Sequence, residues 1–403
     1  MKYTVGSLFA GVGGIDLGFK NASYEEDYFE LIWANEIDEY AAATYLENFN
    51  HHVIIGDIEK IVKPERAINS TEEEEYKLKR EEILSQKIDI LVGGFPCQAF
   101  SIAGYRKGFD DERGVLFWSI IDLINLLKKK HFKPKILFLE NIKNLRTHDN
   151  GRTFEIIKNE LESLDYIVKE KIINTKDITN LPQNRERIYI VAFQDPKVAK
   201  QFTLFDKIEQ FKIEKDEKQR IREIKSCLDL DLSKRKNDNE KYFYTKEKYP
   251  FYFLSEEEYY AMDVKERKEQ RVNIEEQIRD EYEFYQIRRG MYIRQNKSGV
   301  CPTLTANMGT GGHNVPLIKV KDGIRKLTPE ETFRLQGFPI GNGYKLPSTI
   351  NGKPVSEGRL YKQAGNAVSV DVAQIIAIEI IKALNHVRKT NSVERESMIS
   401  IGL

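Results

Sequence analysis

Metal and disulfide chemistry have little to draw on in this sequence. Its three cysteines, Cys97, Cys227 and Cys301, stand far apart with no C-x-x-C pair, so neither a disulfide framework nor a cysteine zinc site is expected. There are six histidines, and His51 and His52 are adjacent rather than spaced for one helical face, so no metal is expected. No apolar run approaches the roughly 18 residues that a membrane span requires, and Met1–Val5 leads directly into a strand-like stretch; the expectation is a cytoplasmic protein without a membrane partner. An excess of charge is missing too. Lys plus Arg and Asp plus Glu number 63 each, so a nucleic-acid partner would have to be met by a local positive face rather than by a basic protein. Internal repeats and low-complexity tails are absent.

What is present is apolar material, 40% of 403 residues, enough for one large domain and a smaller one. The first half alternates short apolar strands with helical patterns: Thr4–Phe9, Leu31–Asn35, Val53–Ile55, Ile88–Val92, Ile136–Leu139, Tyr166–Ile173 and Ile188–Phe193. This rhythm predicts an α/β fold with a mostly parallel, doubly wound sheet whose ligands sit at the carboxyl ends of the strands. Thr71–Glu82 reads as a charged, solvated helix inserted before the fourth strand and receives no function. From about Gln194 the rhythm gives way to a charged stretch rich in Lys, Glu and Tyr, which marks a second domain. Asn296–Pro316 reads as exposed loops, and Ser369–Leu384 as a closing amphipathic helix.

Phe9-Ala10-Gly11-Val12-Gly13-Gly14 follows the first strand and opens a helix, where free N–H groups and the helix dipole favour an anionic group. The spacing departs from the dinucleotide fingerprint because position 16 is Asp. Glu36 ends the second strand, where an acid accepts from ribose hydroxyls, and Asp57 follows the third, placed to accept from an adenine amino group. Together these describe an adenosine ligand with an amino-acid end. The fourth strand runs into Gly93-Gly94-Phe95-Pro96-Cys97-Gln98, which puts a cysteine at the sheet edge beside that ligand; taken alone, such a cysteine is usually a plain core residue.

Five blocks in order, Phe9–Gly14, Gly94–Gln98, Glu140-Asn141, Gln183–Arg187 and Gln363–Val368, resemble the signature blocks of the cytosine-5 DNA methyltransferase family. They bracket nearly the whole chain and leave about 195–295 without a counterpart, where the family keeps its variable target-recognition region.

The resemblance implies a Rossmann-like, S-adenosylmethionine-dependent fold with a second, smaller target-recognition domain, and release of S-adenosylhomocysteine. It implies that Cys97 adds to C6 of cytosine, that Glu140 contacts N3 and the exocyclic amine, and that Arg187 approaches the carbonyl. Phe9, Ala10, Gly11, Gly13, Gly14, Glu36, Asp57, Ile58, Pro96, Asn366 and Val368 are the implied cofactor contacts. Gln98, Ser101, Arg106, Lys107, Arg113, Arg185, Thr303, Asn307, Gly311 and Gly312 are the implied DNA contacts. Arg185 and Arg187, two apart at a strand start, share one face, with ordinary ion pairing open for Arg185. The stretch Ser101–Gly114, with its glycines, positive charges and a few aromatics, has the composition of a lid, and Arg325–Glu330 resembles the block that scaffolds the recognition loop.

The expected organisation is a catalytic domain of residues 1–195 and 356–403 and a recognition domain of 196–355, acting as a monomer on double-stranded DNA, with a restriction endonuclease as an associated activity on the same site. A transfer-RNA cytosine-5 methyltransferase built on the same blocks is the alternative.

Overall fold

The computed structural model describes residues 1–95, 115–232, 239–267, 271–288, 292–310 and 314–400. It divides into two compact units: Met1–Ile173, Glu186–Lys212 and Val368–Leu403 in one, Asn174–Arg185 and Ile213–Ala367 in the other. The crossing points differ from those expected. The segment 174–185 and the helix Glu357–Asn366 belong to the second unit, whereas 196–212 stays with the first.

The first unit is built on one eight-stranded sheet. In chain order its strands are β1 Lys2–Leu8, β2 Ser23–Tyr24, β3 Asp27–Glu36, β4 His52–Ile55, β5 Ile90–Gly94, β6 Ile136–Ile142 and β7 Ile167–Asn174. A two-residue β8, Gln183–Asn184, pairs elsewhere, and β9, Glu186–Phe193, completes the sheet. All seven strands read from the sequence form, with ends shifted by a few residues. The spatial order is β2-β3-β1-β5-β6-β9-β7, with β4 beside the later half of β3. Pairings of β3 with β1, β1 with β5, β5 with β6 and β3 with β4 are parallel, while β9 runs antiparallel to β6.

Apolar side chains cover both faces. Leu8, Trp33, Ile54, Leu91, Leu137 and Ile190 share a buried cluster with Phe117, Ile120 and Ile124 of the helix Val115–Lys129 and with Phe154 and Ile157 of the helix Arg152–Ser163. The helix Gly14–Asn21 packs instead against the closing helix Val370–Ser400: a Cβ on Gly18 would stand 2.7 Å from Ala373 Cβ. Only a glycine admits that approach, so the chain's two ends build one unit. No helix among the described residues is long and apolar enough to cross a membrane.

In the second unit, β10 Phe284–Arg288, β11 Tyr292–Gln295, β12 Cys301–Pro302, β13 Leu317–Val320 and β14 Gly323–Lys326 follow the expected change of texture. A four-stranded antiparallel sheet runs β11-β10-β13-β14, and β12 lies parallel to β8. Its core buries an ion pair. Arg325 donates to both oxygens of Glu331 at 2.8 and 2.7 Å, and Glu331 also accepts from the Thr328 and Asp229 N–H groups.

Candidate active site

The chain runs from β1 outward through β3 to β4, then returns to β5 on the other side of β1 and continues to β6. The switch point therefore lies between β1 and β5, where such sheets open a crevice beyond the strand ends. Two segments leave it: the turn Phe9–Gly13 after β1, and the chain that continues from Phe95 after β5.

The first segment turns sharply. Phe9, Gly11 and Gly13 have φ of 52°, 57° and 83°, and Gly13 caps the helix Gly14–Asn21. A Cβ at Gly11 would meet nothing nearer than the Phe9 oxygen at 4.0 Å, so space stands open beside it. A Cβ at Gly14 would lie 2.3 Å from the Val368 carbonyl oxygen, which seats Val368 directly under the turn. Phe9 is half-buried against the apolar cluster. Ala10 donates its N–H to the Asn35 carbonyl at 3.0 Å.

Glu36 ends β3 beneath this turn. Its carboxylate accepts the N–H groups of Gly11 at 2.7 Å, Ile37 at 2.9 Å and Asp38 at 2.8 Å. Burial raises its carboxyl above the usual range against the pull of those three donors. Asp57 caps the helix Ile58–Val62 by accepting the Glu59 N–H on Oδ1 at 2.9 Å, and Oδ2 has no hydrogen bond among the described residues. Burial raises Asp57 as well. The Ile58 side chain is core, so this residue offers its main chain alone.

At β6, Glu140 is in register with Gly94 of β5, and a Cβ on Gly94 would lie 3.4 Å from Glu140 Oε2. Arg187, near the start of β9, sets its Nε 3.1 Å from Glu140 Oε1. Asn141, 1% exposed, donates from Nδ2 to the Phe95 carbonyl at 2.8 Å and accepts the Ile142 N–H at the same distance. The acid, its arginine and the anchored start of the second segment thus meet at one strand end. Pro96, Cys97, Gln98, Ser101, Arg106, Lys107, Arg113, Gly311 and Gly312 lie outside the described residues. The other two cysteines are buried, and burial pushes the Cys301 thiol well above its ordinary value.

The pairing of Arg185 with Arg187 on one face is corrected by the structure. β9 begins at Glu186, so Arg185 precedes it and turns into the second unit, 2% exposed. Its guanidinium donates to the carbonyls of Leu304 at 2.8 Å, Gly365 at 3.3 Å and Ala367 at 2.7 Å. A buried arginine holding main-chain carbonyls is a staple, and a DNA contact is not available to it. Thr303 donates its hydroxyl to the Asn184 carbonyl at 2.6 Å, whereas Asn307 is exposed. Asn366 ends the helix Glu357–Asn366 with its side chain exposed.

Sequence reasoning missed a buried chain of polar groups behind the turn. Asp16 is fully buried and accepts from the Ser7 hydroxyl at 3.0 Å and the Tyr45 hydroxyl at 2.8 Å; Tyr45 in turn lies 2.7 Å from His51 Nε2. Because the Tyr45 proton goes to Asp16, His51 donates from Nε2. The departure from the glycine fingerprint at position 16 was the signal. Asn35 was also missed: its Nδ2 donates to the carbonyls of Ile54 and Gly56, both at 2.9 Å.

The sheet order and the turn at its switch point define an α/β domain of the methyltransferase type. The model of the C-5 cytosine-specific DNA methylase family matches residues 3–382. The chain belongs to that family and is a DNA (cytosine-5) methyltransferase. It is 43% identical over 381 residues to the type II methyltransferase M.Bsp6I of Bacillus sp. (strain RFL6), covering 94% of this chain and 99% of that protein. To M1.ScrFI of Lactococcus lactis subsp. cremoris it is 34% identical over 388 residues, 96% and 80% of the two chains. The S. pombe Dnmt2 methyltransferase structure superposes with a TM-score of 0.59 at 16% identity, over 95% of this chain and 99% of that one, a likeness of fold.

Proposed function

We propose that the chain transfers a methyl group from S-adenosylmethionine to C5 of a cytosine turned out of duplex DNA, through a covalent bond to Cys97. The observation that carries this reading is the joint placement of Glu140, Arg187 and the Asn141-anchored Phe95 carbonyl, two residues before Cys97.

The residues fit the cofactor. The turn at Gly11 leaves open space, Glu36 offers a buried carboxylate for ribose hydroxyls, and Asp57 Oδ2 is free to accept from the adenine amine. Phe9, Ala10, Gly13, Gly14, the Ile58 N–H, Pro96 and Val368 complete the set. S-adenosylmethionine supplies an electrophilic methyl on its sulfonium.

The Cys97 thiolate forms a bond to C6, which makes C5 nucleophilic. Glu140 delivers a proton to N3 and so offsets the negative charge that builds in the ring, and Arg187 holds both the Glu140 carboxyl group and the cytosine carbonyl. After methylation C5 gives up its proton to a water molecule, the S–C6 bond breaks to restore the aromatic ring and the thiolate, and N3 returns its proton to Glu140. Turning the nucleotide out costs a few kcal/mol. Arg106, Lys107 and Arg113 take backbone phosphates in this reading, Gln98 and Ser101 contact the DNA, and Thr303, Asn307, Gly311 and Gly312 of the second unit serve target recognition. The protein acts as a monomer in the cytoplasm beside a restriction endonuclease of the same site.

Bisulfite sequencing of plasmid DNA from cells expressing the chain tests this. One sequence context should become protected with the parent chain and none with Cys97→Ser; protection that persists in Cys97→Ser contradicts the reading.

A further inference from the structure

The charged helix Ser70–Leu84 is more than a solvated insert. Asn69 caps it, and its lysines pair with its own acids, Lys77 with Glu73 and Glu74, Lys79 with Glu75. Leu78 is 72% exposed, as expected of a solvated face. Tyr76, Ile83 and Leu84 are buried in the cluster that holds Ile54 and Ile58.

Tyr76 stands against the turn that carries Asp57. A Cβ on Gly56 would lie 3.2 Å from the Tyr76 ring, and the Tyr76 hydroxyl accepts the Asp57 N–H at 3.3 Å. The ammonium groups of Lys60 and Lys79 lie 5.8 and 5.0 Å from the ring centroid, and Lys60 is bound to Glu72 of the same helix at 2.8 Å. On the sheet side, Asn35 holds the Ile54 and Gly56 carbonyls. The turn at 54–57 is therefore gripped from two directions, one of them supplied entirely by the insert.

We propose that the inserted helix is the outer wall of the adenine end of the cofactor site and that Tyr76 is a positioning residue for Asp57. The inference rests on the reading of Asp57 as the acceptor for the adenine amine. By fixing the Asp57 peptide plane, the Tyr76 hydroxyl fixes the direction in which Oδ2 points. Without it the Asp57 N–H loses its partner and the carboxylate aims less well, which weakens a ligand that donates from the 6-position and spares one that does not.

Calorimetry with S-adenosylhomocysteine and with S-inosylhomocysteine, whose base carries a carbonyl at that position, tests this on the full chain. The parent should prefer the adenosyl ligand. Tyr76→Phe should weaken it about threefold to tenfold, the worth of one hydrogen bond, leave the inosyl ligand within about twofold of the parent, and lower the melting temperature by no more than about a few degrees. Leu78→Ala should change neither affinity. Equal weakening of both ligands, or an unchanged preference, overturns the positioning role. A parent chain that binds neither ligand overturns the cofactor reading instead. Hydrogen exchange on the parent needs no variant: S-adenosylhomocysteine should slow the amides of Asp57 and of residues 76–79, and unchanged exchange there overturns the wall.

Discussion

The side-chain amide of Asn141 donates to the main-chain carbonyl of Phe95 across 2.8 Å, tying the end of β6 to the start of the loop after β5. Phe95 is itself 2% exposed, so the anchored carbonyl is a fixed point from which Pro96 and Cys97 continue.

Asn141→Ala should therefore do two separable things. Leaving a buried carbonyl unpaired costs about 1 to 3 kcal/mol of stability, visible as a lower urea midpoint. Turnover should fall by more than tenfold while affinity for S-adenosylhomocysteine stays within about twofold, because Asn141 serves the cysteine loop rather than the turn at Gly11; a hydrogen-bonded position misplaced by about 1 Å is enough for such a loss. Equal falls in turnover and cofactor affinity contradict this.

The Asp16–Tyr45–His51 chain makes a pH prediction with opposing signs. Burial pushes the Asp16 carboxyl up to about 6, against the Tyr45 and Ser7 hydroxyls. The folded state therefore holds that proton more tightly than the unfolded one, and this stabilisation, complete below pH 4, is lost as pH rises through 6. For a fully buried group it is on the order of 3 kcal/mol. Burial, with Lys20 and His52 adding, lowers His51 to about 4. Its contribution is complete above pH 6.5 and is lost as pH falls toward 4. Asp16→Asn should leave a stability that rises from pH 4 to 6.5, and His51→Gln one that falls over the same range. Denaturation midpoints across that window check both slopes; two variants with parallel profiles would contradict the assignment.

In the second unit, Glu331→Gln should cost about 3 to 5 kcal/mol, because the Arg325 guanidinium stays buried without its counter-charge. The double variant Arg325→Met, Glu331→Leu should recover only part of that, since the Asp229 and Thr328 N–H groups also lose their acceptor. Full recovery in urea denaturation would show that the carboxylate serves Arg325 alone.

Much of the first unit was legible because its signals are local. Short apolar runs alternating with helical patterns gave the strands, and the same rhythm put Glu36, Asp57 and Glu140 at or just beyond strand ends. What failed depended on contacts distant in sequence. Arg185 and Arg187 look alike two residues apart, but the strand begins between them, so one faces Glu140 and the other reaches the Leu304 and Ala367 carbonyls. The helix that carries Gln363–Asn366 reads as part of the closing segment of the catalytic domain, yet it belongs to the second unit, where a Cβ on Gly365 would stand 2.2 Å from the Thr305 carbonyl carbon. Tyr76 sat inside a run of charges that gave no hint of the turn it touches.

The central claim is that Cys97 bonds to the base, and DNA carrying 5-fluorocytosine at the target position tests it most directly. After methyl transfer C5 holds fluorine where it would hold a proton, and fluorine does not leave as a proton, so the S–C6 bond has no route to break. The account predicts an adduct that survives denaturation, forms only with S-adenosylmethionine present, maps to Cys97, disappears in Cys97→Ser, and persists when the buried Cys227 or Cys301 is replaced. An adduct mapped to another cysteine, or trapping that persists in Cys97→Ser, would contradict it.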